Sequence, residues 1–290
     1  MQTGYFSAAW NDIRNSQGWF RKLLLLSLLM FIPVFGWVVL AGYLLGWARD
    51  MAWGVHAPMP AHLFGNEDGK LYSRGFFAWL IRVVLTAIVW VAFSLVVPLL
   101  GAGFSMLGHL GHGIMGVSAG VGSLGMALLI LLAAVFLAIM VTLFTWIGWM
   151  RMSIYGRLSA GFQFGRIWAM LRRDTGGIMR IFGLFFAINI VVATVLVFVG
   201  AFVVLLTGVA IAIGVGAPGL HSPGIMVWMT ILMVLVFVAA AYLSMCVYVF
   251  STMVAVRALG YWTRQFDVPQ WRGQDDPMPF EMAAWQARPR

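Results

Sequence analysis

Two long, mainly apolar blocks without charged residues divide the chain. Residues 83–150 and 181–256 contain no Lys, Arg, Asp or Glu. One helix needs about 20 apolar residues to cross a hydrocarbon core, so each block is long enough for two crossings joined by a turn. The predicted spans are residues 76–104, 126–150, 179–206 and 226–256, with glycine-rich turns around 101–125 and 214–224.

A shorter apolar segment, residues 23–46, precedes the first block and has basic residues on both sides. Pro33 lies near its centre, where it removes a backbone hydrogen bond and clashes with the preceding turn, and Gly36 follows it. The pattern favours a broken, re-entrant helical hairpin; a kinked single span with the N-terminus outside is the alternative. Irregular backbone at membrane depth should be buried by neighbouring helices or line a wet cavity.

The basic residues set the expected orientation. All 18 fall within residues 14–82, 151–180 and 257–290. Because positive residues are retained on the cytoplasmic side, these bands are predicted to be cytoplasmic. The expected location is the bacterial inner membrane, with multiple spans and both termini cytoplasmic.

Composition supports the same class. Hydrophobic residues make up 62% of the chain and charged residues 9%, whereas soluble domains carry about 25% charged residues. We therefore expect an all-α integral membrane protein: one polytopic domain over residues 1–262, with a cytoplasmic connector at 47–75 and a cytoplasmic tail at 263–290. A single cysteine, Cys246, excludes a disulfide within the chain.

Two amphipathic segments, residues 5–15 and 157–175, are predicted to lie as helices at the cytoplasmic interface. Basic residues near an anionic leaflet contribute roughly 1 kcal/mol each. These residues are either lipid-binding groups or simple topology anchors. The candidates for lipid or anion binding are Arg14, Arg21, Lys22, Arg166, Arg172, Arg173 and Arg180.

An internal repeat links the two segments. Residues 10–22 align with residues 168–180 in the pattern W-x-x-[IL]-R-x-[SD]-x-G-x-[FI]-x-[KR], and each copy precedes an apolar run. The apolar units also end alike, which favours three units that each return to the cytoplasm. The shared endings are Gly42-Tyr43 with Arg49, Arg151 with Tyr155, and Arg257 with Tyr261.

Catalytic chemistry is weakly represented. His109, His112 and His221 fall in the predicted outer turns, but no carboxylate or thiol accompanies them to complete a metal site. A solvated turn is the favoured interpretation. We predict no enzyme activity, catalytic residue, cofactor or metal.

Several short motifs carry a family resemblance, strongest over roughly the first hundred residues. The motifs are Lys22 with the leucine run at 23–26, Ile32-Pro33-Val34, Gly42-Tyr43 with Arg49, Met59-Pro60, and Arg74-Gly75-Phe76. In these motifs the chain resembles the DUF4013 family of bacterial and archaeal membrane proteins. This resemblance implies a polytopic inner-membrane protein and transfers no catalytic residue.

Two functions follow as hypotheses. The first is a non-enzymatic membrane module that binds anionic lipids, or a protein partner, through its basic cytoplasmic face, without nucleic acid. The alternative is a small-molecule transporter or channel-like protein whose pathway uses the broken segment at Pro33 and Gly36.

Overall fold

The computed structural model describes residues 4–65, 68–110, 116–216 and 223–268, and these contain eight α-helices and one short 3₁₀ helix. The 3₁₀ helix, Leu158–Phe162, lies between α5 and α6. The α-helices are α1 Tyr5–Asn15, α2 Trp19–Leu29, α3 Phe35–Ala52, α4 Leu71–Leu110, α5 Gly116–Tyr155, α6 Phe164–Arg173, α7 Thr175–Gly216 and α8 Pro223–Arg264.

Four of these helices are long and apolar enough to cross a membrane: Leu71–Val96, Leu128–Tyr155, Thr175–Leu205 and Thr230–Arg264. The shortest has 26 residues, or about 39 Å at 1.5 Å per residue, against a hydrocarbon core of about 30 Å. The prediction of an all-α protein with four long apolar helices is confirmed.

The helix ends differ from the predicted bounds. The expected glycine-rich turn at 101–125 is largely helical, because α4 continues to Leu110 and α5 begins at Gly116. Backbone groups must bond internally where water is absent, which keeps such glycines helical. His109 is therefore helical, whereas His112, His221 and the tail after residue 268 lie outside the described residues. The predicted connector starts later because α3 extends to Ala52, and the segment 157–175 is divided between the 3₁₀ helix and α6.

The first apolar segment is interrupted between α2 and α3. Val34 has φ 63° and ψ −57°, and the Phe35 amide donates to the Pro33 carbonyl at 2.7 Å, which is a γ-turn of the strained form. Residues 31–35 are exposed, so neighbouring helices do not bury the break, which was the first of the two expected arrangements. Local bonds explain this, since the Ile32 amide donates to the Leu29 carbonyl at the end of α2 and the Gly36 amide donates to the Ile32 carbonyl.

The described residues form two compact units. One contains residues 4–75 and 175–268, and the other contains residues 76–174. In the first unit, α8 contacts α1, α2, α3 and α7; in the second, α5 contacts the 3₁₀ helix and α6. Each unit is thus organised around one long helix and an amphipathic helix packed beside it.

Glycines permit close backbone contact in the first unit. A Cβ atom at Gly75 would overlap the carbonyl oxygen of Val38, and one at Gly42 would overlap that of Leu71. Gly260 of α8 lies against Ala48 in the same way. Small residues allow helices to approach this closely, and α3 is correspondingly buried at 14 of its 18 positions.

Candidate functional site

A buried ionic cluster lies in the first unit, centred on Arg257 near the end of α8. The Arg257 side chain is fully buried, and its Nε and Nη2 groups lie 2.7 and 2.6 Å from the Asp12 carboxylate of α1. The Tyr261 hydroxyl donates to the same carboxylate oxygen at 2.8 Å. Asp12 therefore supplies the charge that a buried guanidinium requires.

The remaining donors of Arg257 bond backbone oxygens. Nη1 donates to the Trp47 carbonyl at 2.8 Å, and Nη2 donates to the Ala57 carbonyl at 3.4 Å. The guanidinium also lies over the Trp47 ring, 4.2 Å from its centroid. A cation–π contact of this kind is stronger when desolvated. Arg257 thus joins α1, α3, α8 and the connector.

Side chains from several helices hold the connector segment at residues 56–60. The Trp47 indole donates to the Ala57 carbonyl, and the Tyr43 hydroxyl donates to the Pro60 carbonyl. The Met59 amide donates to the Ser16 hydroxyl at 2.9 Å. Lys22 donates to the Met59 carbonyl at 3.3 Å, and burial lowers the pKa of Lys22. Polar side chains therefore fix this segment by its backbone.

A second ionic cluster surrounds Asp68, just before α4. Its carboxylate bonds Arg74, lies 3.1 Å from Arg49, and accepts the Lys70 amide. Burial raises the pKa of Asp68, but the hydrogen bond and charge of Arg74 outweigh this and hold the pKa below its ordinary value. Arg74 also donates to the Gly42 carbonyl, which ties this cluster to α3.

The second unit contains a related buried arginine, Arg151, near the end of α5. Its Nη2 group donates to the Gln163 side chain at 2.7 Å, and Nη1 lies 3.7 Å from the Met170 sulfur of α6. Its guanidinium lies 5.3 Å from the Tyr155 ring centroid. Arg151 therefore joins α5 to α6 as Arg257 joins α8 to α1.

The structure distributes the predicted lipid-binding residues over both units. Arg14, Arg21 and Arg180 are exposed in the first unit, where Lys22 is half-buried. In the second unit Arg172 and Arg173 are exposed and Arg166 is half-buried. Pro33 is exposed at the break, and Gly36 is buried where an added Cβ would overlap the Leu29 carbonyl oxygen.

The two amphipathic helices differ in what they leave exposed. In α1 much of the apolar stripe is packed inside the protein, since Tyr5, Ala9 and Ile13 are buried. In α6, Phe164 and Trp168 are each 46% exposed. The interfacial pattern read from the sequence therefore suits α6 better than α1.

Sequence reasoning missed the buried arginines as structural centres. The available signal was the spacing Arg-x-x-x-Tyr, which follows each charge-free block at Arg151 and Arg257. From the sequence alone, this spacing indicates only that the apolar units end alike. Asp12 carried no comparable signal, because nothing local identifies its partner 245 residues away.

Comparison with known proteins identifies one related family. A family model described as "Protein of unknown function (DUF4013)" matches residues 25–201, which is more than half of the chain. The match includes Gly42, Arg74 and Gly75, which converge at the contact between α3 and the start of α4. No curated protein and no solved structure matches the chain.

Proposed function

The chain belongs to the DUF4013 family of proteins of unknown function, and we propose that it is a non-enzymatic module of the bacterial inner membrane that binds anionic lipid headgroups through its basic segments. The observation that carries this proposal is the surface of α6. There, exposed aromatic and basic side chains lie beside an apolar helix long enough to span a membrane.

The contacts of α6 suit a helix lying in the headgroup layer. Trp168 stacks on Phe144 of α5 with ring centroids 6.2 Å apart, and Phe164 lies 6.1 Å from the same ring. Tryptophan is enriched in the interfacial layer of membranes. Arg172 and Arg173 occupy the last turn of α6, where they can reach lipid phosphates.

The interrupted segment supports a re-entrant hairpin. Lys22 at the start of α2 and Trp47 near the end of α3 both bond the connector segment, so the two outer ends lie on the same side. Between them, the Tyr242 hydroxyl donates to the Leu24 carbonyl, and the Tyr242 ring lies 6.5 Å from that of Phe31.

Contacts with α8 support a hairpin that does not cross the whole membrane. Tyr242 precedes Arg257 by 15 positions, or about 22 Å along a helix, which is less than the core thickness of about 30 Å. Helix α2 has 11 residues, or about 16 Å, and is too short to cross alone. The apex exposes apolar side chains at Phe31, Ile32 and Val34, which suits contact with acyl chains.

Sidedness tests the re-entrant arrangement. In a Cys246→Ala background, cysteines placed at Ser118 or Ser222 should react with an impermeant thiol reagent added to intact cells. Cysteines at Ser7 or Ser159 should react only after the cells are opened, because the basic bands remain inside. Labelling at Ser7 from outside would show that the first segment spans and that the hairpin is wrong.

Lipid retention tests the function. Replacing both Arg172 and Arg173 by glutamine should remove about 2 kcal/mol of headgroup attraction, or roughly a 30-fold loss of affinity for phosphatidylglycerol or cardiolipin. Native mass spectrometry of protein released from nanodiscs measures the bound lipid, and rising salt should weaken what remains.

The matched control is the double variant Lys70→Gln/Arg157→Gln, which removes the same charge from exposed positions outside α6. It should keep the wild-type lipid profile. If the α6 variant also keeps that profile, its arginines are topology anchors and the proposed function is wrong. The transporter alternative, and a protein partner at the basic face, remain predictions.

A further inference from the structure

The aromatic contact between α1 and α8 recurs between α6 and α5. Trp10 lies edge-on to Phe250 with centroids 5.5 Å apart, and Trp168 stacks on Phe144 at 6.2 Å. Trp168 follows Trp10 by 158 positions, and Phe250 follows Phe144 by 106 positions. The two tryptophans are thus related by one offset, and the two phenylalanines they contact are related by another.

The buried arginine contact recurs at the same two offsets. Arg257 bonds Asp12, and Arg151 contacts Met170. Met170 follows Asp12 by 158 positions, and Arg257 follows Arg151 by 106 positions. Two apolar sequences can resemble each other by chance. Chance similarity would not place both residues of two separate tertiary contacts at the same pair of sequence offsets.

A third contact keeps the second offset. Arg257 lies over the Tyr261 ring at 5.6 Å, and Arg151 lies over the Tyr155 ring at 5.3 Å. Tyr261 follows Tyr155 by 106 positions. The long helices also match in length, with 40 residues each in α4 and α5 and 42 each in α7 and α8.

The difference between the offsets locates an insertion. Lys22 shifted by 158 positions and Arg74 shifted by 106 both fall on Arg180, so the 52 residues by which the offsets differ are residues 23–74. This segment contains residues 23–29 of α2, all of α3, the connector and the first four residues of α4. We infer that the chain is a tandem duplication, in which α1, α4 and α5 of the first copy are equivalent to α6, α7 and α8 of the second. The hairpin was inserted into the first copy. The two amphipathic helices, α1 and α6, are then equivalent lipid-contact helices.

This inference rests on the proposed function for its ligand, which is a phosphate-bearing lipid headgroup. Arg14 of α1 corresponds to Arg172 of α6, and both are exposed basic residues near the end of an amphipathic helix. Helix α1 exposes less aromatic surface than α6, because Trp10 also packs edge-on against Trp19, with ring centroids 5.8 Å apart. Each copy therefore contributes one headgroup contact.

Exchange of equivalent residues tests the duplication. In Met170→Asp, Arg151 should donate to the new carboxylate as Arg257 donates to Asp12, and the melting midpoint in detergent should fall by no more than roughly 2 °C. Leu171→Asp places the same charge at the neighbouring buried position, away from the equivalent of Asp12, and should lower the midpoint by roughly 10 °C. Equal losses in the two variants would overturn the equivalence.

Counting the bound lipids distinguishes a failure of the duplication from a failure of the proposed lipid-binding function. Arg14→Gln and Arg172→Gln should each reduce retained phosphatidylglycerol in nanodiscs by a similar amount, and the double variant should reduce it by both. If Met170→Asp is tolerated but neither arginine variant changes retention, the duplication stands and the lipid function is wrong. A loss confined to Arg172→Gln would overturn the pairing of the two contacts.

Discussion

Replacing Asp12 by alanine is expected to lower the free energy of unfolding by about 3–5 kcal/mol, because it leaves a buried guanidinium without its carboxylate. Arg257 is fully buried, so water cannot solvate the orphaned charge. The Tyr261 hydroxyl loses its acceptor in the same step. Circular dichroism during unfolding by a denaturing detergent measures the effect as an earlier midpoint.

The control for this prediction is Asn11→Ala, an exposed neighbour on the same helix, which should change the midpoint little. The double variant Asp12→Leu/Arg257→Met removes both charges and should recover much of the loss, since apolar replacements of buried ion pairs are often tolerated. An Asp12→Ala midpoint that matches Asn11→Ala would contradict the buried ion pair.

Replacing Gly75 by alanine is expected to destabilise the fold by about 1–3 kcal/mol, the usual cost of overpacking. Helix propensity alone predicts the opposite sign, a gain of about 1 kcal/mol for Gly→Ala within a helix. The contact with Val38 decides the outcome, because the new Cβ would overlap a carbonyl oxygen that belongs to the backbone of a buried helix.

Gly183→Ala is the matched control. Gly183 lies inside α7 with nothing within 4 Å of the added Cβ, so this substitution should be neutral or stabilising. Thermal midpoints of the two purified variants in the same detergent give the comparison. Shifts of the same sign and size would show that α3 and the start of α4 do not meet as closely as described.

The long apolar helices could be predicted because, in the hydrocarbon core, every backbone N–H and C=O group must be hydrogen-bonded within the protein. Charge-free blocks must satisfy their backbone groups internally, so their length determines how many helices they form. The interruption at Pro33 could be predicted for a similar local reason. Its exposure could not, because the amides of Ile32, Phe35 and Gly36 donate to nearby backbone carbonyls and so do not need partners on neighbouring helices.

The buried clusters could not be predicted because they depend on partners distant in sequence. A basic residue that follows an apolar block reads first as a topology signal, and only the tertiary structure shows that Arg257 and Arg151 point inward. The same limit applies to α1, whose stripe suits a membrane surface equally well until α8 is seen to cover Ala9 and Ile13.

The pairing of Asp12 with Arg257 also sets an order of events during synthesis. Their 245-residue separation means that α1 leaves the ribosome long before its partner exists. At about 5–20 residues per second, the delay is roughly 12–50 s. Over that period the amphipathic helix has only the membrane surface, or a chaperone, to cover its apolar stripe, whereas α6 can dock on α5 as soon as it emerges. The first unit is therefore completed last, after the final helix has been inserted.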